Sequence, residues 1–182
     1  VIGSKAGRPL VLMALIFSSS SLAMQIQHED VASLINQRLS YMKDVAGYKA
    51  MNHLAIEDLA QEAKVLSNTM LEAEKLGLDG DSVKLFVQAQ MDVAKAIQYR
   101  YRADWLSQPE KGWEPEPLEL VRAKISLINT SILASISAKL AEGGKFIDKA
   151  EFTKAVEQAQ LKNSDKERLW GSLQKITLKK QY

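Results

Sequence analysis

From Val31 onward, apolar residues recur at helical spacing with little interruption, and this periodicity restricts the chain to an all-α fold more firmly than any other feature. Leu34, Ile35, Leu39, Met42, Val45 and Ala46 keep the 3.6-residue period, predicting a first helix from Val31 to about Met51 that runs across Gly47. A second, from about Ile56 to Leu76, carries Leu59, Ala63, Leu66, Met70, Ala73 and Leu76 at alternating spacings of about four and three, the pattern of a bundle seam. The stretch GLDGDS breaks the pattern, and Asp81 or Ser82 is expected to cap a third helix with a stripe through Val83, Val87, Gln90, Ala94, Ile97, Gln98, Tyr101 and Trp105.

SQPEKGWEPEP, residues 107–117, holds three of the four prolines and cannot be helical throughout, so it is read as a linker. A fourth helix is expected from about Leu118 to Ala141, ending at Gly143 and Gly144. Two shorter helices follow, opened by the capping patterns Asp148 with Glu151 and Ser164 with Glu167. No β-alternation lasts long enough to suggest a sheet. The expected fold is therefore an all-α bundle of about six helices.

The first 23 residues stand outside this pattern. Lys5 and Arg8 precede the apolar run from Pro9 to Phe17, then SSSSLA, with Ser21 and Ala23 at the −3 and −1 positions of a cleavage site. A run of about nine apolar residues falls short of the roughly 20 that span a bilayer, so a cleaved signal peptide, residues 1–23, is the reading, with periplasmic or secreted localisation. Residues 24–182 then form a single domain: a three-helix core over 24–106, the linker over 107–117 and C-terminal helices over 118–182. Without Lys5 and Arg8 the 24 basic residues become 22, equal to the 22 acidic ones. A neutral chain whose one basic cluster is Lys175, Lys179 and Lys180 argues against nucleic-acid binding, and cleavage of the leader leaves no membrane contact to expect. The chain has no cysteine, which excludes thiol catalysis and thiolate metal sites; stability must come from packing.

Against this apolar periodicity several polar residues point the wrong way. Arg38 and Lys49 are eleven residues apart, about 20° past three full turns, and so share the first helix's apolar face. Long cations can snorkel from the edge of such a face. Two in register would both have to do so, and if inward each needs an anion, either Asp58, Glu62 or a ligand. Gln98 lies between Ile97 and Tyr101 on the third helix's stripe, where an unpartnered amide costs about 1 to 3 kcal/mol; Gln90 lies nearer the edge. Arg122 stands beside Leu118 and Ile125 on the fourth helix, while Asp58 and Glu62 open the second, a place where acids commonly serve the helix dipole. The two histidines, His28 and His53, have no partner at metal-ligand spacing beyond the weak pair of His53 with Glu57, and no serine sits in a nucleophile elbow, so neither a metal site nor a hydrolase is expected. A small, multiply anionic ligand inside the bundle would satisfy the set, with hydroxyl groups facing Asp58 and Glu62.

At these residues the chain resembles the exported γ subclass of the all-α chorismate mutases. The carrying segments are LINQRLSYMKDVAGYKAMNHLAIEDLAQE (34–62), AIQYRYRADW (96–105) and LVRAKISLIN (120–129). The resemblance implies the unimolecular rearrangement of chorismate to prephenate, on the route to phenylalanine and tyrosine, with no metal or cofactor. It further implies that Arg38 and Arg122 bind substrate carboxylates, that Lys49 and Gln98 donate to the ether oxygen, and that Asp58 and Glu62 hold the ring hydroxyl. Gln61 stands where the family has an arginine, and Ala94 where relatives have a serine or threonine. A homodimer with each site complete within one chain is implied as well. The competing expectation is a non-enzymatic exported helical adaptor or chaperone, or a decayed mutase, for which Gln61 is the best support.

Overall fold

The computed structural model describes residues 29–180; the expected signal peptide and its cleavage site, as well as His28, lie outside the described residues. Among the described residues seven helices occur in order: α1 (Val31–Ser40), α2 (Met42–Met51), α3 (Leu59–Lys75), α4 (Gly80–Ser107), α5 (Leu118–Ala141), α6 (Lys149–Ala155) and α7 (Asn163–Leu173). The described residues contain no sheet, only an isolated bridge between Leu78 and Leu178 that ties the C-terminal tail to the α3–α4 turn. The expected first helix is two, interrupted at the single residue Tyr41, which keeps helical backbone angles and accepts a hydrogen bond from Val45 N–H at 3.1 Å. No glycine or proline lies at this break. Because it is so slight, the faces of α1 and α2 stay nearly aligned.

Local chemistry places the other boundaries, in part away from the expected ones. α3 starts at Leu59 and not Ile56: Asp58 takes the N-cap and accepts from Gln61 N–H at 3.1 Å, while Ile56 is buried in the preceding loop. Leu59, expected on the seam, is 73% exposed; the inward side of α3 is instead Thr69 and Ala73, with Val65 and Leu66 packed against the core. α4 begins earlier than Asp81 because Asp79 is its cap, accepting from the amides of Asp81 and Ser82. Asp148 caps α6 through Glu151 N–H as expected. At α7 the cap is Asp165, which accepts from Lys162 N–H at 2.8 Å, not Ser164 with Glu167, and Asp165 also pairs with Arg100 of α4 at 2.5 Å.

α4, the longest helix, packs on α2, α3 and α7, and α5 closes the other side against α1, α2 and α3. Ile35, Leu39, Phe86, Ile97, Ile132, Leu133 and Ile136 fill the space between them and are essentially sealed from solvent. α6 and α7 buttress α1 and α4 from outside: Asn36 Oδ1 accepts from Glu157 N–H at 3.0 Å and from Gln158 Nε2 at 2.9 Å, and Phe152 meets Trp170 with ring centroids 5.1 Å apart. The Pro-rich segment is held on α2 by Trp113, which stacks beside Trp105 and under the Lys43 ammonium and leaves no room for a side chain at Gly47. Asp44 adds a hydrogen bond from Glu116 N–H at 3.0 Å. That clamp delivers α5, and Arg122 with it, alongside α3.

Candidate active site

A cavity of about 320 Å³ opens between α1, α2, α3, α4 and α5, and Arg38, Lys49, Asp58, Gln61, Glu62, Ala94, Gln98 and Arg122 all line it. Residues from 38 to 122 are thus brought to one place. Arg38 and Lys49 are each only 6% exposed, so neither snorkels to bulk water. Neither has a carboxylate within ion-pair distance among the described residues, although Asp58 and Glu62 share the cavity.

Each buried cation is held by neutral oxygen. Arg38 Nε donates to Asn129 Oδ1 at 2.9 Å and Nη1 to the Gln90 carbonyl at 3.5 Å; burial lowers its pKa to about 10, leaving it charged at neutral pH. Lys49 is positioned by the end of α2. His53 takes a left-handed conformation (φ 54°), and the amides of His53 and Leu54 bond back to the Ala50 and Lys49 carbonyls in a Schellman turn. The reversed chain brings the Ile56 carbonyl onto Lys49 Nζ at 2.5 Å. Burial, then the nearby Arg122, pulls the Lys49 pKa below its ordinary value, with Asp58 and Glu62 opposing.

The carboxylates are engaged elsewhere. Asp58 caps α3 with one oxygen and accepts from Arg122 Nη2 at 3.0 Å with the other, while Arg122 Nη1 donates to Glu119 at 3.2 Å. Glu62 accepts from the Asp58 amide at 3.3 Å and from Lys95 Nζ at 2.9 Å. Gln98 Nε2 donates to the Ala94 carbonyl at 3.2 Å and approaches the Met42 thioether at 3.7 Å, and its buried Oε1 has no partner. Gln90, expected nearer the edge than Gln98, is as buried as Gln98 at 5% exposure, because α3 and α5 cover it through Val65, Thr69 and Asn129.

Sequence reasoning missed Asn129 and Lys95. Both carried a signal: Asn129 is seven residues after Arg122, about 20° short of two turns, and Lys95 is three before Gln98, so each shares its neighbour's face. With these residues included, the lining holds five cations (Arg38, Lys49, Lys64, Lys95, Arg122) and three carboxylates (Asp58, Glu62, Glu72). The excess of two positive charges matches a dianion. Among the described residues no cluster of potential ligands suits a metal ion, and no helix is long and apolar enough to cross a membrane.

Fold and site together define an all-helical protein with a central cavity whose lining carries two more positive than negative side chains. Residues 28–99 match the family model for chorismate mutase type II. The chain is 51% identical over 178 residues to the secreted chorismate mutase of Yersinia pestis, covering 94% of this chain and 96% of that protein. It is 42% identical over 147 residues to a monofunctional chorismate mutase of Enterobacter agglomerans, covering 80% and 81%. The crystal structure of the Yersinia pestis secreted enzyme superposes with a TM-score of 0.79 at 52% identity, over 84% of this chain and all of that one. A chorismate mutase structure from Burkholderia thailandensis shares the fold, with a TM-score of 0.64 at 20% identity over 79% of this chain and 93% of that one. The chain belongs to the chorismate mutase type II family, a family of isomerases.

Proposed function

We propose that the cavity between α1 and α5 binds chorismate and catalyses its intramolecular rearrangement to prephenate. The observation that carries this reading is the pair of buried cations, Arg38 and Lys49, that share one cavity and have no carboxylate within ion-pair distance among the described residues. A buried charge left unpaired costs several kcal/mol, and a dicarboxylate substrate removes that cost on binding.

In this reading Arg38 and Arg122 take the two carboxylates as charge-assisted pairs. Lys49 donates to the ether oxygen, where negative charge grows as the C–O bond breaks. Gln98 donates there as well: the N–H that now faces the Met42 thioether, a weak acceptor, turns to the ether oxygen at little cost. Asp58 and Glu62, fixed by the first turn of α3, accept from the ring hydroxyl. Bond making and breaking occur within one molecule, so the protein need move no proton. Its work is to hold the compact conformer and to aim donors at developing charge, and one such donor is worth about 3 to 4 kcal/mol.

Export through a signal peptide cleaved after Ala23, and a homodimer whose sites are each complete within one chain, belong to the same proposal. Kinship to a protein named as secreted supports the first, and the convergence of residues 38 to 129 on one cavity supports a site complete within one chain. The test of the activity is disappearance of chorismate absorbance on addition of the purified protein. Turnover that saturates with chorismate is expected; its absence would favour the exported adaptor.

A further inference from the structure

Arg38 is buried, yet its protein partners are both uncharged. Asn129 Oδ1 takes the Nε hydrogen at 2.9 Å, which fixes the guanidinium plane, and the Gln90 carbonyl lies at the limit of hydrogen bonding from Nη1. Among the described residues Nη2 has no protein partner and is not among the polar atoms sealed from solvent, and Arg38 lines the cavity. Arg122 differs: its two terminal nitrogens are already shared between Asp58 and Glu119. An aspartate at position 129 would have the size and the acceptor oxygen of the asparagine. It would also bring a negative charge, which in a desolvated site binds the guanidinium in place of a ligand.

We propose that Asn129 is a positioning residue that orients Arg38 while leaving its positive charge uncompensated, reserved for an anionic group of the ligand. Neutrality at position 129 is therefore what gives Arg38 the stronger hold on a carboxylate of the two arginines. The inference rests on the chorismate reading for its ligand, but the reserved charge has a signature in the free protein as well. Burial lowers the Arg38 pKa and no carboxylate offsets it, as a charge kept unpaired requires.

Asn129→Asp and Asn129→Ala in the full chain separate charge from shape. The aspartate, by pairing with Arg38, is expected to melt at or above the wild-type temperature in the absence of ligand. The alanine leaves Arg38 Nε without an acceptor and melts below both. On chorismate the order reverses: Asn129→Asp raises KM about tenfold or more with a much smaller change in kcat, and Asn129→Ala raises it less. A merely structural asparagine would not let the better-melting variant be the worse binder. An Asn129→Asp protein that binds chorismate within about twofold of wild type, or that melts below Asn129→Ala, overturns the proposal. Wild-type protein that fails to turn over chorismate would sink the proposed function instead; the melting order would still decide whether position 129 governs the charge balance at Arg38.

Discussion

In the proposed mechanism Lys49 and Gln98 donate toward the same ether oxygen, but they respond to pH differently. Gln98 is an amide and donates at any pH, whereas Lys49 must keep its proton, and burial with Arg122 nearby lowers the pKa at which it loses it. The rate is expected to hold through neutral and mildly alkaline pH and to fall before the ordinary lysine value of 10.5 is reached. Stability moves the other way. A lysine whose folded pKa is depressed is least favourable to the fold while charged, so its contribution improves as pH rises from that lowered pKa toward 10.5. Gln98→Glu should add a requirement for a protonated carboxyl and shift activity toward acid; an unchanged pH–rate profile would remove Gln98 from the donor role. Gln61 is half-buried at the cavity edge and gives its backbone N–H to the Asp58 cap. Gln61→Arg is expected to lower KM about fivefold, the difference between a neutral and a charge-assisted bond. If KM is unmoved, Lys64, one turn along α3 on the same cavity, already supplies the charge.

At the scale of elements, the Pro-rich segment matters most, because it decides where α5 lands. A Cβ at Gly47 would sit 2.5 Å and 2.7 Å from two Trp113 ring carbons and 3.3 Å from Pro115 Cβ. Gly47→Ala should gain about 1 kcal/mol in helix propensity and lose about 1 to 3 kcal/mol to overpacking. The loss wins: a Tm lower by about 2 to 4 °C is expected, along with a raised KM as Arg122 shifts. A rise in Tm would mean that Trp113 moves aside freely. The range Leu118–Ala141 was legible from periodicity and from the breakers on either side of it, and the observed α5 coincides with it. The start of α3 was not, because Ile56 and Leu59 fit a helical period equally well while only the tertiary role of Asp58, cap and Arg122 partner at once, fixes the first turn. Ser164 lost its capping role for a similar reason, since Asp165 serves both its own helix and Arg100 sixty-five residues away. Local patterns contain no record of such distant partners. That Arg38 and Lys49 turn inward was legible from spacing; that their partners are Asn129 and a loop carbonyl was not.

At the scale of the molecule, the lining residues come from α1 to α5 and the α2–α3 loop, and α6 and α7 brace the cavity without entering it. Activity per chain should therefore stay constant when the protein is diluted far below the concentration at which sedimentation shows any dimer dissociating; a proportional loss would mean that a second chain completes the site. In the proposed function two buried cations without carboxylate partners form a dicarboxylate site that catalyses by electrostatics. That function is tested most directly by steady-state kinetics of Arg38→Ala and Lys49→Ala on chorismate, with helicity by circular dichroism as the control for folding. Both variants should retain their helicity and lose about 10²- to 10³-fold in kcat/KM, with Lys49→Ala losing it chiefly in kcat and Arg38→Ala chiefly in KM. Folded variants that turn over chorismate at the wild-type rate would contradict the account.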